Sequence, residues 1–238
     1  MLNSENSPKQ NKLLALLPAR DFDLVSRELE QVDLPRKTPL AKFREPFTHI
    51  HFLTSGIASV VVVTPEGNSV EGGIFGWEGY VPTSATTGLE TSPHDVNIQL
   101  AGAGYRMNFE AFRSVMKRSD SFATVVGRSM EAFAIQLAYT AATNAVHDVN
   151  ERLARWILMC HDRVEGDQIG LTHDFISLML AVRRPSVTTA LHILEGNGFI
   201  RSTRGTITIR DRPALEEYAR DAYGRPEEEY RRLMNDLF

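Results

Sequence analysis

The sequence predicts an α+β chain: an antiparallel sandwich or jelly roll first, a long helix next, and a winged helix-turn-helix last. Three observations predict this. From about residue 32 to 107, short β-branched or aromatic runs are broken by Gly, Pro and Asn. Residues 119–147 contain no Pro and a single Gly, Gly127, with apolar residues recurring every three or four positions. Two short helical patterns and an alternating hairpin then follow in quick succession.

The 238 residues are 42% hydrophobic and 24% charged, with a net charge of -4. This ordinary globular composition excludes disordered, collagenous and disulfide-scaffold classes, and it leaves room for a nucleic-acid site only as a local basic patch. One cysteine, Cys160, excludes an intramolecular disulfide and a Cys-rich zinc or iron–sulfur site, and it fits a reducing cytoplasm. No apolar run reaches the roughly 18 residues of a membrane span, and the polar start lacks the basic-then-apolar pattern of a leader. The expected location is cytoplasmic, with no membrane partner.

Taken in order, residues 1–12 read as frayed, and Leu13, Leu14, Leu16 and Leu17 open a helical region that runs through Phe22, Leu24, Val25 and Leu29. Strands are expected at His49–Leu53, 58–63, 70–75, 96–100 and 105–108. Thr64-Pro65-Glu66-Gly67-Asn68 forms a hairpin connection, and Gly72-Gly73, Gly76 and Gly102-Ala103-Gly104 mark bends or bulges. A short helix spans 109–117. In the long helix, Phe122, Val126, Met130, Phe133, Leu137, Ala141 and Asn144 form one face, and the charges between 119 and 146 are Asp120, Arg128 and Glu131. A helix of about 40 Å with so much neutral surface has to be covered on more than one side. A second copy of the chain is the natural cover, which makes this face the expected homodimer interface; the alternative is a central helix of a single core. A further helix over 150–163 has Leu153, Trp156, Ile157 and Cys160 on its apolar side, so Cys160 reads as a small core hydrophobe rather than a redox sensor. From Ile169 helical signals resume.

Thr172 is an N-cap for a helix with Phe175, Ile176, Met179 and Leu180 on one face. Ala181-Val182-Arg183 interrupts it, and a second helix starts at Arg184, where Pro185 suits the first turn because the N–H it lacks has no helical partner there. Val187, Ala190, Leu191 and Leu194 point inward; Arg184, Ser186, Thr188, Thr189 and His192 point outward. A polar Arg/Ser/Thr face near a helix start is what major-groove reading requires, since arginine grips guanine edges and hydroxyls bond bases or phosphates. Residues 199–209 alternate about an Arg204-Gly205 turn and read as a wing. Arg183, Arg184, Arg201, Arg204, Arg210 and Arg212 face only Glu195 and Asp211 over 183–212, six charges against two in an acidic chain. The candidate DNA-binding residues are Thr172, His173, Arg183, Arg184, Ser186, Thr188, Thr189, His192, Arg201, Thr203 and Arg204.

Over nearly its whole length the chain resembles the Crp/Fnr family of bacterial transcription regulators. The resemblance is carried by Ile50-His51-Phe52-Leu53-Thr54-Ser55-Gly56, by Asn150-Glu151-Arg152-Leu153-Ala154-Arg155-Trp156, and by the run from Leu171-Thr172 through Arg183-Arg184-Pro185-Ser186-Val187-Thr188-Thr189-Ala190-Leu191. It implies a jelly-roll domain of the cyclic-nucleotide-binding type with a helical lead-in (1–118), a dimerisation helix (119–147), a winged helix-turn-helix (148–212) and a C-terminal helical extension (213–238). It also implies a homodimeric, sequence-specific regulator on palindromic double-stranded DNA that meets RNA polymerase. Arg184 aligns with the family's arginine before the recognition helix, whereas Pro185 and Thr189 stand where Glu and Arg are common, so the base preference is its own.

Family members that bind cyclic AMP use a Gly-Glu pair and an Arg-Ser/Thr-Ala triplet. Gly76-Trp77-Glu78-Gly79 echoes the first, but Thr91-Ser92-Pro93-His94-Asp95-Val96 holds no Arg or Lys and carries a repelling Asp95. Cyclic-nucleotide dependence is therefore not expected, the effector is unknown, and no cofactor, metal or catalytic residue is assigned. Two rival readings are a cupin-like metal enzyme built on His49-Ile50-His51, with an accessory winged helix, and an architectural DNA-binding protein without a preferred site.

Overall fold

The computed structural model describes residues 7–235 and residue 237. The expectation for residues 1–6 lies outside that range, and residues 7–12 are anchored rather than frayed. Asn11 is completely buried, its Nδ2 donating to the carbonyls of Leu53 and Gly79, both at 2.9 Å, while its Oδ1 caps α1 (Lys12–Ala15). Stripping a buried amide of these partners would leave it unsatisfied, which is why a polar segment stays in place. Pro18 then interrupts the helical lead-in, and α2 (Ala19–Ser26) starts immediately after it.

Seven strands follow: β1 (Glu30–Leu34), β2 (Pro39–Ala41), β3 (His49–Leu53), β4 (Ile57–Val63), β5 (Ser69–Phe75), β6 (Asp95–Leu100) and β7 (Gly102–Asn108). They form two antiparallel sheets, ordered β1-β7-β3 and β2-β6-β4-β5. Leu34, Leu40, Leu53, Val60, Phe75, Val81 and Ile98 share one buried cluster of this domain. The β4–β5 hairpin turns at Gly67, where φ is +85°, and its register shifts opposite Gly72 as expected of a bulge. Gly102-Ala103-Gly104 makes no bend; it lies inside β7, where a Cβ at Gly104 would stand 2.5 Å from the Phe52 carbonyl oxygen. Those glycines serve close strand approach.

The helix α3 (Phe109–Arg118) leads through the N-cap Ser119 into α4 (Asp120–Val146), 27 residues long. The expected homodimer face of α4 is largely covered by the chain itself. Phe122 and Val126 are buried with Leu13, Leu14, Phe52 and Phe112, and Phe133 lies on Phe75 with ring centroids 4.1 Å apart. Gln136 accepts from the Ile74 N–H (2.8 Å) and donates to its carbonyl (3.2 Å), riveting α4 to β5. Met130 and Leu137 are half-buried, while Ala141 and Asn144 are exposed. A heptad-like pattern shows that a face is buried but not which surface buries it. The outward stripe, Ala134, Ala138, Ala142 and Ala145, lies roughly a quarter turn further round.

The remaining elements are α5 (Val149–His161), β8 (Gln168–Ile169), α6 (His173–Leu180), α7 (Arg184–Gly196), β9 (Ile200–Thr203), β10 (Thr206–Ile209), α8 (Arg212–Ala219) and α9 (Arg225–Asn235). An Asp148/Glu151 capping box starts α5. Ile169 belongs to a strand pairing with Ile207, not to a helix. Leu153, Trp156, Ile157, Cys160, Phe175 and Leu191 share a core that also takes Ile57 and Ile74 from the β-domain and Leu215 and Ala219 from α8. The last helix, α9, returns to α4: Arg128 donates to the Leu233 carbonyl at 2.7 Å, and Met234 is buried among Leu13, Leu14 and Phe122. Among the described residues no helix is long and apolar enough to cross a membrane.

Candidate nucleic-acid interface

Helix α6 begins at Thr172, whose Oγ1 accepts from the Phe175 N–H, and ends where Ala181 adopts a left-handed conformation, φ 51°. The chain turns at Val182, Arg183 takes the N-cap position, and α7 starts with Pro185 in its first turn. Phe175, Ile176, Met179 and Leu180 bury one side of α6; Val187, Ala190, Leu191 and Leu194 bury one side of α7. Arg183, Arg184, Ser186, Thr189 and His192 are exposed, and Thr188 is half-buried with its Oγ1 3.5 Å from His173 Nδ1. The candidate residues of the two helices are thus brought to one side of the motif.

The wing is a three-stranded sheet, β8-β10-β9, turning at Gly205 with φ 77°. Arg201, Thr203 and Arg204 are exposed on it, and Glu195 of α7 accepts from the Ser202 N–H at 3.0 Å, fixing wing to recognition helix. Arg212 is not part of this surface. It pairs with Asp162 and Glu216, each at 2.7 Å, and donates to Tyr223, so it fastens α8 to α5. Two residues escaped the sequence reading. Asp174 forms an ion pair with Arg184, and Arg36 of the β-domain donates to Thr172 Oγ1 at 3.4 Å. Asp174 had a local signal, an acidic residue in the first turn of the helix before the reader; Arg36 had none.

Residues 151–218 match the Crp-like helix-turn-helix domain family. These residues carry a DNA-binding domain of the Crp type, and the chain as a whole has the fold of solved Crp/Fnr regulators. Solved structures with this fold include FixK2 from Bradyrhizobium japonicum (15% identity, 80% of this chain and 96% of that one, TM-score 0.67). Others are a CRP-family transcriptional regulator from Thermus thermophilus (19%, 80% and 96%, 0.65) and the c-di-GMP-responsive global regulator CLP from Xanthomonas campestris (14%, 81% and 99%, 0.66). No curated protein matches the chain by sequence. A Crp-like helix-turn-helix implies DNA binding.

The other sequence candidates have structural places in this Crp/Fnr fold. His49 and His51 sit with ring centroids 6.5 Å apart, and among the described residues no group of three or more His, Cys, Asp or Glu is placed to hold a metal. Burial, with the charges of His49 and Arg106, brings His51 down to about 4, a neutral ring. Cys160 is fully buried, which pushes its thiol up and away from thiolate chemistry. Glu78, the echo of the family's Gly-Glu pair, is bound to Arg163 at 2.7 Å, and Asp95 accepts from the Phe43 N–H at 2.7 Å.

Proposed function

We propose that the chain acts as a homodimer that reads a two-fold symmetric DNA site with its paired α7 helices and meets RNA polymerase there. The observation that carries this is the outward set of α7, Arg184, Ser186, Thr189 and His192, exposed from the start of the helix to its third turn while the opposite side is locked into a core. Arg184 would read base edges, while Arg201, Arg204 and the N-terminus of α6 at Thr172 and His173 would hold phosphates. A sheet edge or a metal pocket would have no use for five exposed arginines, residues 183, 184, 201, 204 and 210, on one motif of an acidic chain.

The second copy is placed on the outward alanine stripe of α4. Small side chains let two helix axes approach closely; of the two charges in the preceding turns, Glu131 is exposed and Arg128 is held on the Leu233 carbonyl. The regulator acts without cyclic nucleotide, because neither Glu78 nor Asp95 leaves a cationic partner for a buried phosphate. Selection of binding sites from random duplexes tests the reading: a palindrome with half-sites about 34 Å apart supports it, and recovery of unselected sequence returns the architectural alternative.

A further inference from the structure

The β-domain, α4, the end of α5 and the C-terminal helices enclose an open cleft of about 580 Å³, a volume that suits a small organic molecule. Its apolar wall includes Phe75, Trp77, Ala132, Phe133 and Pro226. The carboxylates on the wall are already occupied. Glu78 pairs with Arg163, Asp162 and Glu216 pair with Arg212, and Glu227 accepts from the Gly224 N–H at 3.1 Å. Burial raises the Glu227 carboxyl, against the opposite pull of a backbone hydrogen bond and of Arg163 and Arg155.

Two cations on the lining are left without a carboxylate. Lys12 Nζ lies 5.0 Å from the Trp77 ring centroid, Arg231 donates its Nε to the Glu227 carbonyl, and among the described residues neither cation has a carboxylate partner. The Trp77 indole N–H is buried behind the wall without an acceptor among the described residues. Two cations beside an aromatic wall call for a flat ligand that brings acceptors and negative charge. We propose that this cleft binds a small aromatic carboxylate, its ring against the Trp77 and Phe133 wall and its carboxylate held by Lys12 and Arg231. The ligand would touch the β-domain, α4 and the C-terminal helices at once. The proposal goes beyond the regulator reading, and its test needs no DNA, so the two fail separately.

The test is calorimetry on the full chain with 2-naphthoate and, as the uncharged comparison, 2-naphthylmethanol. The expected result is saturable binding of the carboxylate, about tenfold tighter than the alcohol. Lys12→Gln and Arg231→Gln should each weaken it by about three- to tenfold. Both side chains are exposed, so the variants keep the fold, which circular dichroism checks. Absence of binding up to about 5 mM, equal affinity for acid and alcohol, or unchanged affinity in both variants would each overturn the proposal.

Discussion

Asp174 in the first turn of α6 and Arg184 at the start of α7 form an ion pair across the turn of the helix-turn-helix. Both side chains are about two-thirds exposed, 66% and 65%, so solvent screens the pair and it contributes little to the fold. Its consequence lies in DNA binding. The carboxylate adds negative charge where phosphates would approach. Asp174→Asn should strengthen binding to cognate and random duplexes alike, by a few-fold at low salt, with base preference unchanged. Titrations on both duplexes check this, and weaker binding would show that Asp174 orients Arg184 productively.

The proposed seam on α4 predicts opposite outcomes for two glutamates. Ala138→Glu puts a carboxylate on the outward stripe and should give a folded monomer by light scattering. Phe133→Glu puts one against Phe75 inside the chain, where burying an unpaired charge costs several kcal/mol, so it should unfold the β-domain before it alters assembly. A folded, dimeric Ala138→Glu variant would place the seam elsewhere.

Glu71 joins the two domains from strand β5: its buried carboxyl accepts from Trp156 Nε1 of α5 at 2.8 Å and bonds Ser59. Burial raises it to about 8, against the smaller opposite pull of those two hydrogen bonds and of Arg155 and Arg163. Between its ordinary 4.5 and about 8 the folded chain keeps a proton that the unfolded chain has released, so this group lowers stability as pH rises through that window. His51 acts in the reverse sense between about 4 and 6.5, where the unfolded ring is charged and the folded ring neutral. The two effects oppose each other below about 6.5, leaving a net fall from there to 8 no steeper than about 1.4 kcal/mol per pH unit from Glu71. Glu71→Gln can still accept from Trp156 through its Oε1 while its Nε2 donates to the Ser59 hydroxyl, and it should flatten that fall in urea unfolding; parallel profiles for the two proteins would contradict this.

Cyclic AMP and cyclic GMP should produce no heat in calorimetry and no change in DNA affinity. Arg163 is engaged by Glu78 and the Met159 carbonyl, and 91–96 supplies no cation. A micromolar dissociation constant would show that another group holds the phosphate.

The parts of the chain legible in sequence were those whose signal is local. The β-branched run of β4 ends at a hairpin turn, and α6 and α7 declare themselves through Thr172, Pro185 and their apolar rows. Strands β1 and β2, Glu-Gln-Val-Asp-Leu and Pro-Leu-Ala, carry almost no β-branched residues and are held by partners distant in sequence, so no local pattern announced them. For the same reason Arg212 was counted with the DNA patch: its charge is visible, but its pairing with Asp162, 50 residues away, is not. The cleft gathers Lys12 and Arg231 from opposite ends of the chain, and only the fold brings them together.

In the proposed function Arg184 reads bases and Arg204 anchors phosphates, and a single comparison decides between these roles. Arg184→Ala and Arg204→Ala are titrated against the cognate duplex and a scrambled one at several salt concentrations. Arg184→Ala should lose about tenfold or more on the cognate duplex, little on the scrambled one, and relax preference at one symmetric pair of positions. Arg204→Ala should weaken both duplexes alike and flatten the salt dependence by about one unit of slope for each phosphate that is no longer gripped. Equal weakening of both duplexes by Arg184→Ala, with altered base preference in Arg204→Ala, would contradict the assignment by reversing reader and anchor.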